Sequence, residues 1–196
     1  MRPVSATTAC SCVWWATRLA TFREPGFSDP GGRLIGDRRP QVALLLEKNS
    51  LGGDARQLVE RFGFTVLISG GSTKLIDAEF LALELAQRGI FEVELLALVD
   101  YDPAGWDLAE GFVPQLERYN LRVRGKVVMV VTAECFTQRE IRLHAYPCPT
   151  STPALATQTR RWLEKCGGIH GQAFGIGADH FRPLERIVER LEALGW

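Results

Sequence analysis

The sequence predicts an α/β fold with a doubly wound, mainly parallel sheet of about four strands, flanking helices and a C-terminal helical extension. Three observations carry this. Short apolar runs alternate with helical stretches from residue 41 onward; the runs are apolar throughout instead of alternating; and the helix ends carry capping residues. A strand buried on both faces reads as a continuous apolar run, which is the mark of a parallel sheet covered by helices on each side.

The first strand is the run Val42-Ala43-Leu44-Leu45-Leu46, followed by a helical stretch at residues 54–61 and a second strand, Thr65-Val66-Leu67-Ile68. A helix over 74–88 leads to a third strand at 93–99, a helix over 103–119 and a fourth strand at 126–131. Pro103 suits the first helical position, Asp102 before it can serve as N-cap, and Gly89 closes the preceding helix as a C′ glycine. Residues 154–166 and 183–194 read as two further helices, with the glycine-rich stretch 167–177 as a flexible connection between them.

Residues 1–40 form an irregular N-terminal segment or linker, broken by Pro25-Gly26 and Pro30-Gly31-Gly32. The adjacent Trp14 and Trp15 are of a kind normally buried against a neighbouring element, which suggests either that an upstream domain has been lost or that the start codon lies inside a longer ancestral gene. Residues 41–196 form one domain, with its core at 41–131 and an extension at 132–196. A chain of 196 residues, 46% hydrophobic, can bury one good core.

Lys plus Arg and Asp plus Glu are each 23, so the formal charge is zero and no global field draws in nucleic acid. DNA contact has to come from a local patch or from a partner chain. The five cysteines, Cys10, Cys12, Cys135, Cys148 and Cys166, show no C-x-x-C spacing, so neither a zinc site nor a disulfide framework is indicated. The apolar runs are too short to span a membrane, and Thr7, Thr8 and Ser11 interrupt any signal core. A cytoplasmic location with no membrane partner is expected.

The candidate site is a set of acids at strand tips. In open parallel sheets, ligands bind beyond the carboxyl ends of the strands, where Glu47, Asp100 and Asp102 all fall. In extended backbone, Asp100 and Asp102 face the same side. Two like charges about 4 Å apart repel by roughly 4 kcal/mol at an effective dielectric near 20, and a bound Mg²⁺ reverses that cost. An acid directly after an apolar strand needs a partner, and Lys48 is expected to point the other way along the strand. Asp102 has a plainer reading as a helix cap.

These residues resemble a known pattern: a glutamate after the first strand, then D-x-D 53 residues on, is similar to the Toprim domain of topoisomerases, bacterial primases and certain nucleases. More narrowly, Leu46-Glu47-Lys48-Asn49 and Asp100-Tyr101-Asp102-Pro103-Ala104-Gly105 resemble the motifs of the topoisomerase VI A subunit and the related proteins that make meiotic double-strand breaks. The resemblance covers residues 41–131 and extends to Phe174-Gly175-Ile176-Gly177-Ala178-Asp179. It implies a Mg²⁺ site at Glu47, Asp100 and Asp102 that holds DNA phosphate and the 3′-hydroxyl end during cleavage and rejoining.

In that family the nucleophile is a tyrosine on a winged-helix domain preceding the Toprim domain. Here Tyr101, Tyr119 and Tyr146 all follow Glu47, so the covalent half is expected to be absent. The stretch Ser69-Gly70-Gly71-Ser72-Thr73 also departs from the family's loop after the second strand. The chain could hydrolyse phosphodiesters as a nuclease, work as topoisomerase-type isomerase with a separate winged-helix or ATPase subunit, or persist as a non-catalytic relic that binds DNA or a partner. A homodimer is one assembly open to it. A third class is a HAD-like phosphatase with Asp100 as nucleophile and Asp102 as acid.

Other candidates have plain readings beside them. Arg122, Arg124 and Lys126, with Arg139 and Arg142, are basic clusters that could grip phosphates or simply face solvent. His144, His170 and His180 show no metal spacing, the glycines at 167–177 lack a phosphate-loop pattern, and Cys135 reads as a packing residue.

Overall fold

A computed structural model describes residues 32–48, 51–70, 75–181 and 184–196. The tryptophan pair and most of the expected irregular segment lie outside these residues, as do Asn49 and residues 71–74. Among the described residues the order is β1 Gly32–Leu34, β2 Val42–Leu46, α1 Gly52–Phe62, β3 Thr65–Ile68, α2 Leu75–Ala86, β4 Glu92–Leu98 and α3 Pro103–Arg118. There follow β5 Arg122–Val123, β6 Val128–Met129, α4 Gln138–His144, β7 Tyr146–Pro147, α5 Pro153–Cys166, β8 Phe174–Gly175 and α6 Leu184–Ala193.

The main sheet runs β1-β3-β2-β4-β5, with β6 also on β4. β2, β3, β4, β5 and β6 are paired in parallel, and β1 is antiparallel to β3. The apolar runs form these central strands because both faces are covered. Val42, Leu44 and Leu46 of β2 enter one core with Leu58 of α1, Trp162 of α5 and Ile187 and Leu191 of α6. Ala43 and Leu45 enter a second core with Leu81 and Leu85 of α2 and Phe112 and Leu116 of α3. Alternate residues of one strand thus feed opposite layers, as the period of two requires.

The expected α/β architecture with a C-terminal helix is present, and three of its details differ. Residues 32–34, expected within the irregular segment, form edge strand β1; three residues are too few to give a strand pattern. The strand expected at 126–131 shrinks to β6, and β5, unforeseen, pairs with the start of β4. The 167–177 stretch is not a loose connection: β8 pairs with β7, and Tyr101 and Ile176 exchange backbone hydrogen bonds at 3.0 and 3.1 Å.

Caps define the helices. The Asp102 carboxylate accepts from the Gly105 amide at 2.7 Å, with Pro103 behind it, and Thr152 accepts from Leu155 ahead of α5. Gly63, at φ 66°, ends α1, and its carbonyl lies so near Gly36 that a Cβ there would stand 2.0 Å from the oxygen. α4 begins in a capping box of Thr137 and Glu140. The Thr137 amide and Arg186 of α6 hold the Glu140 carboxyl down at about 2, which joins α4 to α6.

Leu45 is wholly buried between β2 and the α2–α3 layer, so Leu45→Ala should lower the unfolding free energy by about 2–5 kcal/mol. Phe91 is 59% exposed, and Phe91→Ser should shift it by less than about 0.5 kcal/mol. Urea titration of both variants measures the contrast.

Candidate functional site

β2 and β4 are neighbours in parallel, with Leu46 opposite Leu98. The residues that follow therefore leave the sheet together. The Glu47 amide donates to the Leu98 carbonyl at 3.2 Å and the Ser69 amide to the Leu46 carbonyl at 2.9 Å, so Glu47 is fixed from both adjacent strands. Its carboxylate returns across the gap and accepts from the Asp100 amide through Oε2 at 2.7 Å. The two strand tips are joined by this one bond.

Burial pushes the Glu47 carboxyl up to about 7. The Asp100 amide works against that shift, the charges of Asp100 and Asp102 reinforce it, and Lys48 opposes it. All three sequence-predicted acids thus share one electrostatic environment, although each has its own partner.

Asp100 Oδ1 accepts from the Ala178 amide at 2.7 Å and pairs with the Lys48 ammonium at 3.0 Å. Lys48 was expected to point away along the strand. Instead the ammonium swings over the tip and bridges Asp100 and Asp179, the latter at 2.9 Å. Strand alternation no longer governs it because β2 ends at Leu46.

Asp102 is held at both oxygens: Oδ1 caps α3, and Oδ2 accepts from the Tyr146 hydroxyl at 2.6 Å. Burial and the Asp102 carboxylate drive the Tyr146 hydroxyl far above its ordinary value, so it remains a donor. Among the described residues, no three His, Cys, Asp or Glu side chains are arranged to hold a metal ion. The structure brings Glu47, Asp100 and Asp102 to one rim without gathering them around a common point. The cation beside Asp100 is the Lys48 ammonium.

The 174–179 segment packs directly on this rim. A Cβ at Gly175 would lie 2.7 Å from Asp102 Cβ and 3.1 Å from Tyr146 Cε2; one at Gly177 would lie 3.4 Å from Lys48 Nζ and 3.7 Å from Asp100 Oδ1. Glycine at 175 is therefore required by close approach. The His180 ring, beside Asp179, stacks on His144 of α4 with centroids 3.9 Å apart.

Sequence reasoning missed Lys48, Tyr146, Gly175 and Asp179 as members of the rim. The signals for part of this set were the Leu46–Asn49 motif, which holds Lys48, and the Phe174–Asp179 motif, which holds Gly175 and Asp179, both quoted for their resemblance alone.

Arg122 and Arg124, candidates for gripping phosphates or facing solvent, lie away from the acids. Arg122 pairs with Glu92 and Arg124 with Glu94, at the start of β4, whereas Asp100 follows its end. Among the tyrosines, Tyr101 donates to the carbonyls of Cys166 and Gly168, Tyr146 is bound to Asp102, and Tyr119 caps the far end of α3. Cys135 Sγ lies against the Thr132 amide and the Val130 carbonyl, in keeping with a packing role. No helix among the described residues is long and apolar enough to cross a membrane. No protein-family model and no curated protein sequence matches this chain.

With an ordinary value of 4.5 and a folded value of about 7, Glu47 retains a proton in the folded protein that the unfolded chain has released between those pH values. Its contribution to stability is full below pH 4.5 and is lost as pH rises through 7. In chelator-containing buffer, Glu47→Gln should flatten the fall in Tm across that window, and thermal melts at stepped pH give the slope.

Proposed function

We propose that this chain is a Toprim-type domain that binds DNA phosphate with Mg²⁺ at the rim of Glu47, Asp100 and Lys48, for strand cleavage or rejoining together with a partner that carries the nucleophile. The observation that carries this reading is the Glu47 Oε2 to Asp100 amide bond of 2.7 Å, which unites acids from two neighbouring parallel strands at the ligand-binding end of the sheet. Glu47 and Asp100 are the residues that would hold the ion. When bound, Mg²⁺ supplies positive charge against the phosphate oxygens and polarises the phosphodiester.

The protein's own groups have separate parts in this reading. Glu47, poised near 7, ionises readily once positive charge is adjacent. Lys48, half-exposed and tethered by two aspartates, presents an ammonium at the rim to a phosphate oxygen. Asp102 and Tyr146 act as positioning residues: their hydrogen bond and the cap on Gly105 fix the N-terminus of α3 beside the rim, where its dipole favours an anion.

A second reading is a non-catalytic module of the same type that binds DNA or a partner. It is favoured by Lys48 already pairing with Asp100 and by both Asp102 oxygens having donors.

Supercoiled plasmid nicking and DNA binding at low salt, each with and without Mg²⁺, separate the two readings. The first expects Mg²⁺-dependent binding or nicking that falls at least tenfold in Glu47→Gln. DNA binding indifferent to Mg²⁺ and to Glu47→Gln supports the second. Absence of DNA binding in every condition rejects the first reading and leaves the second only as a partner-binding module.

A further inference from the structure

Helix α4 ends at the rim. Tyr146, two residues past its last position, donates to Asp102, and His144, that last residue, stacks on the His180 ring beside Asp179, which anchors Lys48. His180 and the ammonium close on one point: a Cβ at Gly177 would lie 3.7 Å from His180 Cδ2 and 3.4 Å from Lys48 Nζ. An occupant of the rim that extends on this side meets α4 next.

One side of α4 is tied down and the other is open. Glu140 pairs with Arg186 of α6 at 2.6 Å, and Ile141 packs on the core that holds Ile187 and Leu191. Arg139, Arg142 and Leu143, spaced i, i+3 and i+4, share the outward side; all three are exposed, Leu143 by 64%. Neither arginine has an ion pair or hydrogen bond among the described residues, whereas Arg122 and Arg124 are neutralised by Glu92 and Glu94. Of the two acids between residues 132 and 146, Glu140 is matched by Arg186 and Glu134 lies ahead of the helix. The outward side is thus a cationic patch on a chain of zero formal charge.

We propose that this side of α4 carries the backbone of DNA on its way to the rim, with the guanidiniums of Arg139 and Arg142 on its phosphates. The path rests on the DNA-binding reading of the rim and extends it beyond Lys48. A guanidinium presents paired N–H donors that match a phosphate, and these two give up no ion pair in turning to one. Deoxyribose rings between the phosphates offer Leu143 an apolar surface. Where α4 meets Lys48, the imidazoles of His144 and His180 add N–H donors.

The test is fluorescence anisotropy of a labelled duplex, with Mg²⁺ present and over a series of salt concentrations, on the full chain. At roughly 0.9 per neutralised phosphate, Arg139→Ala/Arg142→Ala should reduce the slope of log affinity against log salt by about 1.8 and weaken binding at least tenfold at low salt. Arg122→Ala/Arg124→Ala should leave both near the wild-type values. Arg139→Lys/Arg142→Lys, which keeps the charge, should retain the wild-type slope, and a slope as low as that of the alanine pair overturns the path. Wild-type binding that Arg139→Ala/Arg142→Ala weakens no more than Arg122→Ala/Arg124→Ala does overturns the path and leaves the reading of the rim standing. No binding by the wild-type chain overturns the path along with the DNA-binding reading.

Discussion

The rim depends on the parallel register of β2 against β4. With Leu46 opposite Leu98, the ladder continues one step into Glu47, whose amide reaches the Leu98 carbonyl, and the carboxylate is left within reach of the Asp100 amide. A slip of one residue would send Val42, Leu44 and Leu46 to the face now filled by Ala43 and Leu45. Five consecutive buried residues in β2 make that slip costly, because the two faces differ in side-chain size and each is matched to its own helical layer. The position of the acids is thus a consequence of core packing.

Around that fixed pair, charge is balanced locally. Lys48 shares its ammonium between Asp100 and Asp179, and Tyr146 donates to Asp102. Glu47, by contrast, receives a single backbone donor, while burial and two neighbouring carboxylates oppose its charge. The work of the Asp102–Tyr146 pair is to seat α3.

The layered architecture was legible because it rests on local signals. Continuous apolar runs announced β2, β3 and β4, and Pro103 with Asp102 announced the start of α3. The tips of those strands followed directly, so Glu47, Asp100 and Asp102 could be named from spacing. What spacing could not supply was the partner of each acid. Tyr146 meets Asp102 from 44 residues away, and Asp179 meets Lys48 from 131. Neither contact leaves a periodic trace. Strand alternation also misled at Lys48, since it ceases to apply once the ladder ends. Likewise, the sequence left Arg122 and Arg124 open between gripping phosphates and facing solvent; in space they pair with Glu92 and Glu94 at the start of β4, the opposite end from Asp100.

The Ala178 amide that binds Asp100, and the glycine at 175 that lies against Asp102, belong to the last quarter of the chain. During synthesis the strands of the main sheet emerge well before this segment does. A nascent chain can therefore pair these strands while Asp100 still lacks a backbone donor and Lys48 its second anchor, and while Ile187 and Leu191 of the covering layer have yet to arrive. The rim acquires its final charge pattern only when the trailing segment arrives, which leaves the half-made protein without a finished site.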